Sequence, residues 1–570
     1  MPPLSPRHLE NGYVSVLGEE SADKLPYPTS VIGSESQVHL DAESGTMVIG
    51  LVEGESVVIA GSYYLHVIAG EASILNFNCK QRAKPYLIES PSTDNLLRVV
   101  AMSSKATKHV TASVPNDAVL SVVSDFVSCY EFVAIVSPVS TDFETWKTEI
   151  IERRPITDDS LLSEATTHFL HSYSIQGAHL LTSFSEEYTK KLHTGEVALD
   201  PSWQESISRL LSSSVTLVIG AKNVGKSTFC RSLVNSLLLH FPQVAYLDID
   251  VGQGEYSPAG LLSLSLLAEP QLRSSSVPCI ERQSISRIFF GDKTPENSPH
   301  DYMQAVGMLL RQYQTVLSEH PLVINTCGWI KGVGADILNF IYYNIDCSHV
   351  VFLREREKLD PLPIVNVDPS RVVLLEGQGS EARKANPGQL RDQKMISYFC
   401  GRREEDLGDY LLSLPRYRMP FASIQCYVGH VRSCYFHLAL NGLIVGLSTD
   451  SSFEFGQERE TGVMEEDSSV IPKAKFHPKL LTRLPIVKNV GIGIVQAIDL
   501  NRNEVIVITP LGSEEMKEVN TLIRHTECIP QILIQNHLTF PTNYIASNIS
   551  GAGSSVARAR PNLKRIFPSH

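Results

Sequence analysis

One short segment constrains this chain more than any other. Gly220-Ala221-Lys222-Asn223-Val224-Gly225-Lys226-Ser227, followed by Thr228, fits G-x-x-x-x-G-K-[ST], the Walker A pattern. The glycines let backbone N–H groups curve around phosphate oxygens. The lysine sets a cation on the β- and γ-phosphates, and the serine hydroxyl ligates Mg²⁺. Context agrees. Val215–Ile219 reads as a buried strand before the loop, and Ser227–His240 as a helix after it, with Phe229, Leu233, Leu237 and Leu238 on one face. That helix turns its N-terminus, and its unpaired N–H groups, toward the anion.

A second signal lies one strand downstream, in Leu247-Asp248-Ile249-Asp250-Val251-Gly252-Gln253-Gly254. A carboxylate at the C-terminal edge of a neighbouring parallel strand sits beside the phosphate loop, where it holds Mg²⁺ or orients a nucleophile. Asp248 and Asp250, at i and i+2 on a strand, would point the same way and act together. A cap or turn role is the alternative for each. Further apolar runs at Ile288–Phe290, Leu322–Asn325, Val350–Leu353 and Val372–Leu375 are mostly separated by helical text. Apolar strands without clean alternation, joined by helices, imply a doubly wound parallel sheet covered on both faces, an α/β core.

The flanks read differently. Residues 1–30 carry five prolines and read as a flexible arm, and 31–150 as a β-rich N-terminal domain of short strands. Residues 151–213 read as a helical connector, with Leu161, Leu162, Phe169 and Leu170 on one stripe. The P-loop domain is expected over 214–405. A β-rich C-terminal domain follows over 406–550, including runs at Cys434–Leu438 and Glu504–Thr509, and a basic flexible tail over 551–570. The acidic stretch Glu458–Asp467 reads as a solvated loop. The 570 residues carry a net charge of −13, which argues against a global electrostatic grip on nucleic acid and leaves room for a local basic patch. Ten scattered cysteines with no C-x-x-C pair suit reduced thiols, and neither a secretory leader nor an apolar stretch of membrane-spanning length is evident. An intracellular protein with no membrane partner is expected.

A phosphate loop alone does not choose between GTPase, motor and kinase. No N-K-x-D motif and no second phosphate loop is found. Four blocks, in order, narrow the choice. They are Gly220–Thr228; Asp248–Gln253 with Ser257-Pro258-Ala259-Gly260; Phe290-Gly291-Asp292-Lys293-Thr294-Pro295 with Tyr302 and Asn325–Gly332; and Arg391–Gly401. Threaded through residues 220–401, they resemble the polynucleotide 5′-hydroxyl kinases, and the last block looks like that family's lid, around 378–403. The resemblance implies a P-loop kinase core using ATP and Mg²⁺.

It also implies roles. Lys226 neutralises the transferring phosphate, and Ser227, with Thr228 and Asp248, attends the metal. Asp250 contacts and activates the 5′-hydroxyl. Thr294 and Trp329 clasp the terminal RNA nucleotides beside Gln253, and Arg391 stabilises charge from the lid. A tryptophan is a sound stacking surface for an unpaired base; a packing role for Trp329 and a turn role for Thr294 are the alternatives. From Arg383 to Arg403 six Lys/Arg (Arg383, Lys384, Arg391, Lys394, Arg402, Arg403) face one acid, Asp392, giving a basic lid in an acidic chain. Ala385-Asn386-Pro387-Gly388 interrupts it, which leaves Arg383 as the candidate second lid arginine. The tail, with four Lys/Arg and no Asp/Glu over residues 551–570, is similar to that of the pre-ribosomal branch, which docks into a Las-type endonuclease; Phe567 is a candidate anchor. That branch implies phosphorylation of 5′-hydroxyl RNA ends in pre-rRNA second-spacer (ITS2) processing, in the nucleolus. The tRNA-splicing and mRNA 3′-end branch, a silent ATP-binding scaffold, and a small-molecule kinase are the alternatives.

Overall fold

The computed structural model describes residues 37–530, with residues 30 and 32, apart from 91–95, 104–108, 142–145, 153–173, 177, 181–196, 198, 274–283, 356–359, 379–386, 401–413, 430, 432–434, 454–477 and 528. The expectations for the N-terminal arm, the Leu161–Leu170 stripe, Arg383, Lys384, Arg402, Arg403, the acidic stretch and the basic tail lie outside the described residues.

The core strands are β1 (Val215–Gly220), β2 (Val244–Asp248), β3 (Leu261–Leu267), β4 (Ser286–Phe289), β5 (Leu322–Asn325), β6 (His349–Arg354) and β7 (Val372–Glu376). They stand in the order β7-β6-β1-β5-β2-β3-β4. Pairing is parallel from β7 through β2 and antiparallel from β2 to β3 to β4. The expected all-parallel sheet is thus a mixed one, with five parallel strands. Leu261–Leu267 reads as a short apolar run, and it forms the first antiparallel strand. Side chains alternate between two cores: Leu217 and Ile219 face one, with helices Pro299–Gln312 and Val333–Asn344, while Val218 faces the other, with helix Lys226–Leu237.

The C-terminal strands do not form a separate sheet. Lys488–Asp499 pairs with β4 at Ile288↔Lys488, and the sheet continues through Ile444–Thr449, Thr521–Arg524 and Gln425–Tyr427. Gly446 makes this joint possible, because a Cβ there would fall 2.3 Å from the Phe289 ring. Residues Phe436–Leu440, which overlap the expected strand run Cys434–Leu438, form one helical turn. Phe436, Ala439 and Leu440, at i, i+3 and i+4, are buried, so helical rather than alternating burial holds this segment.

The N-terminal region is a ten-stranded sheet built on the long strand Ser56–Ala69, and its pairings are antiparallel. One helix interrupts the β-rich text, Asp117–Cys129. Asn116 caps it by accepting from Val119 N at 2.8 Å, and Val119, Val123 and Val127 pack against the sheet. Part of the expected helical connector is strand: Ala178–Leu180 pairs with the long strand, and Lys147–Glu152, which runs two residues into the connector, pairs with His109–Val114. The segment Pro201–Leu210 is helical and packs with the phosphate-loop core through Trp203. Asn235 joins the two regions by donating to Leu75 O at 3.1 Å and accepting from Gln271 N at 2.7 Å. No helix among the described residues is long and apolar enough to cross a membrane.

Candidate active site

β1 delivers the chain into the phosphate loop with three unusual residues. Gly220, Asn223 and Gly225 have φ of 157°, 63° and 91°. Glycine at 225 is doubly required: its φ is left-handed, and a Cβ would lie 2.8 Å from the Trp203 ring. Trp203 is fully buried and anchors its Nε1 on Glu376 O at 2.9 Å, so the floor beneath the loop is rigid. Helix Lys226–Leu237 starts directly after Gly225 with no side-chain cap, leaving first-turn N–H groups for a ligand.

The loop opens on a cavity of about 480 Å³. Its walls carry Lys222, Asn223, Lys226, Ser227 and Thr228 from the loop and Asp250, Gly252, Gln253 and Glu255 from the segment after β2. Lys293 to Glu296 and Cys327 to Trp329 form the opposite rim, and Leu390, Arg391 and Lys394 of helix Pro387–Cys400 close it. Five cations and three carboxylates line it, a basic pocket in an acidic protein. Gly220, Ala221 and Val224 shape the loop from behind: Ala221 O accepts from Lys226 Nζ at 2.7 Å, and Val224 O accepts from Gln378 N at 3.0 Å.

Lys226 is only 7% exposed. Burial pushes its pKa down, against the pull of the nearby Asp250 charge. Asp250 lies beyond the end of β2 in a turn of its own: Oδ1 accepts from Gly252 N at 3.0 Å and Gln253 N at 3.1 Å. Among the described residues no hydrogen bond occupies its Oδ2.

Asp248 behaves differently, and the expectation that it works beside Asp250 at the metal is corrected. β2 ends at Asp248, so the strand alternation that would align the two does not reach Asp250. Asp248 is 1% exposed and is not among the residues of the cavity wall. Its Oδ1 accepts from Asn325 Nδ2 at 3.2 Å, and its Oδ2 accepts from Glu255 N. Burial raises its pKa to about 7. It braces the loop that carries Asp250.

The remaining expected residues line the same cavity. Thr294 accepts from Glu296 N at 3.3 Å and caps the short turn Pro295–Asn297, so its cap role and its place on the wall coexist. Trp329 is half-buried on the rim. Its loop approaches the phosphate loop closely, since a Cβ on Gly328 would fall 2.7 Å from Lys222 N. Arg391 faces the cavity from the lid helix.

The structure adds residues that the sequence reading does not single out. Glu255 is buried in ion pairs with Arg231 at 3.3 Å and Arg273 at 3.8 Å. Lys394, otherwise one basic residue among six, is buried and donates to Gly254 O. Burial lowers its pKa, while Glu255 and Asp248 oppose that shift. The lid helix is therefore docked on the Asp250 loop by a charged tether. Cys327 lines the cavity as a protonated thiol, raised to about 11 by burial and the Asp250 charge. A lysine, i+3 from Arg391 and so on the same helix face, was the available signal for Lys394; nothing local marks Glu255.

A strand, glycine loop and helix, with a carboxylate past the end of the neighbouring parallel strand and a basic helix across the cavity, define a P-loop nucleotide-binding protein of phosphotransferase type. A family model described as the mRNA cleavage and polyadenylation factor CLP1 P-loop matches residues 220–401. The polynucleotide 5′-hydroxyl-kinase NOL9 of Arabidopsis thaliana is 30% identical, the match covering 61% of this chain and 95% of that protein. NOL9 of Danio rerio is 25% identical over 91% of this chain and 78% of that protein. This chain belongs to the polynucleotide 5′-hydroxyl-kinase family. Among solved structures, a wild-type Clp1p–Pcf11p complex is similar, at 11% identity with a TM-score of 0.46, the match covering 85% of this chain and 98% of that one.

Proposed function

We propose that this chain transfers the γ-phosphate of ATP to the 5′-hydroxyl of an RNA end. The observation that carries this is the pairing, across one cavity, of the phosphate-loop Lys226 with Asp250, whose Oδ2 is open. Phosphoryl transfer needs little beyond charge neutralisation and an in-line oxygen. Lys226 leaves Ala221 O and meets the γ-phosphate. Asp250 orients the 5′-hydroxyl and takes its proton as the oxygen bonds to phosphorus and the bond to ADP breaks. Thr294 and Trp329 hold the terminal nucleotides, with Gln253 on the same cavity. Arg391 faces the transferring group from the lid and excludes water.

The Ser227 and Thr228 hydroxyls offer hard oxygen donors at the phosphate loop, a pair that suits Mg²⁺ shared with phosphate oxygens. Bound there, Mg²⁺ would neutralise charge on the β- and γ-phosphates.

The finer reading is the pre-ribosomal one: phosphorylation of new 5′-hydroxyl ends during ITS2 processing in the nucleolus, beside a Las-type endonuclease engaged through the basic tail and the flanking regions. It is supported by the tail's charge and by matches to relatives named NOL9 and Grc3. The test is transfer from labelled ATP to a 5′-hydroxyl oligoribonucleotide, with Lys226→Ala as control. Transfer lost in the variant by at least about 100-fold is expected; unchanged transfer overturns the mechanism. ATP binding without transfer, with the nuclease present, would identify a scaffold instead.

A further inference from the structure

Strand Thr521–Arg524 belongs to the C-terminal part of the sheet, and the residues after it bond to two loops of the kinase core. The next residues are wedged between two loops. His525 Nε2 donates to Ala259 O at 2.8 Å, and its Nδ1 accepts from Glu527 N at 2.8 Å. Thr526 N donates to Gly291 O at 2.8 Å. Two glycines make the room. A Cβ on Gly260 would lie 2.5 Å from His525 Nε2, and one on Gly291 would lie 2.7 Å from Arg524 O. The wedge therefore grips both the loop that follows Asp250 and the loop that leads to Thr294.

Its last described side chain before residue 528 is Glu527. One oxygen, Oε1, lies 2.6 Å from Lys293 Nζ and 3.5 Å from Arg391 Nε. Lys293 and Arg391 are both on the cavity wall, whereas Glu527 is not. One carboxylate from a distant part of the chain thus holds a cation of the acceptor rim and a cation of the lid. Burial alone would raise the pKa of Glu527, but the nearby Lys293 and Arg391 cations overcome it and hold the carboxyl below its usual range.

We infer that Glu527 is a positioning residue: it fixes the directions of Lys293 and Arg391 at the cavity, so that the lid cation meets the transferring phosphoryl group while the rim cation meets the backbone of the incoming end. A lysine and an arginine without this restraint would swing onto whichever phosphate oxygen is nearest. They would bind the triphosphate more tightly and stabilise its transition state less. The ion pair forms at Arg391 Nε and so takes up neither Nη nitrogen. The inference rests on the kinase reading above.

The test uses the full chain. Glu527→Gln is expected to lower kcat at least ten-fold while tightening binding of a non-hydrolysable ATP analogue at least three-fold. Glu527→Asp should recover part of kcat. In a Lys293→Met, Arg391→Met background, Glu527→Gln should cause no further change in either quantity. Unchanged kcat in Glu527→Gln overturns the inference. So does a loss of the same size in the background lacking both cations, because that would mark a merely structural role. If the wild-type chain transfers no phosphate, the kinase reading fails, and analogue binding still decides the restraint: tightening confined to the background with both cations supports it, and equal or absent tightening overturns it.

Discussion

Lys226 is a cation with little water around it, held on the carbonyl of Ala221 until something more negative arrives. A triphosphate repays its desolvation, which is why a lysine can be buried here at all. Trp329 faces the opposite problem. It is half-buried, so its ring is part support and part surface. If it stacks a terminal base, Trp329→Ala should weaken binding of a 5′-hydroxyl oligonucleotide by about 1–3 kcal/mol, roughly 5- to 150-fold, and leave ATP affinity unchanged. Fluorescence anisotropy with a labelled oligonucleotide reads this directly. Unchanged oligonucleotide affinity would point to a small-molecule acceptor.

At the scale of elements, the segment after strand Thr521–Arg524 is sensitive to pH in a direction the structure dictates. Burial lowers the pKa of His525, outweighing the Ala259 hydrogen bond and the charges of Glu527 and Asp292. The folded ring is neutral, donating from Nε2 and accepting at Nδ1. In the unfolded chain its pKa is about 6.5. A lowered folded pKa means that the unfolded state binds more protons between that value and 6.5. The stabilising contribution is therefore present above 6.5 and is lost as pH falls below it. The melting temperature of the wild type should drop more between pH 7.5 and 5.5 than that of His525→Gln, which has no ring to protonate. Differential scanning fluorimetry across that range would show it; parallel curves would exclude His525 as the group responsible.

For the whole molecule, the sheet is the unit that matters. Ile288↔Lys488 joins β4 to the C-terminal strands, and the hydroxyl of Tyr398 on the lid helix accepts from Ile492 N at 2.8 Å. A chain ending at residue 405 would expose the β4 edge and the Phe289 face, and would remove the Ile492 contact of the lid helix. Such a truncation should aggregate or lose phosphate transfer, as seen by size-exclusion chromatography and the labelled-ATP assay. A monodisperse, fully active fragment would show that the C-terminal strands are dispensable.

The phosphate loop was legible in the linear text because its chemistry is local. Two glycines, a lysine and a serine must be near neighbours to wrap one anion, so their spacing carries the information. The core strands β1, β2 and β5 were legible for a similar reason, since burial on both faces writes an apolar run. The helix Asp117–Cys129 was missed although Asn116 and the Val119, Val123, Val127 spacing signal it, because a valine-rich stretch satisfies strand and helix patterns alike. The merging of the C-terminal strands into the core sheet depends on a backbone approach at Gly446 that no neighbouring residue announces. What only the tertiary structure decided is how the charges are partnered: Glu255 with Arg231 and Arg273, Lys394 of the lid helix on Gly254 O, and Glu527 between Lys293 and Arg391. A buried or half-buried charge is stable only against a partner, and here the partners arrive from up to hundreds of residues away, so their meaning exists only once the chain has folded.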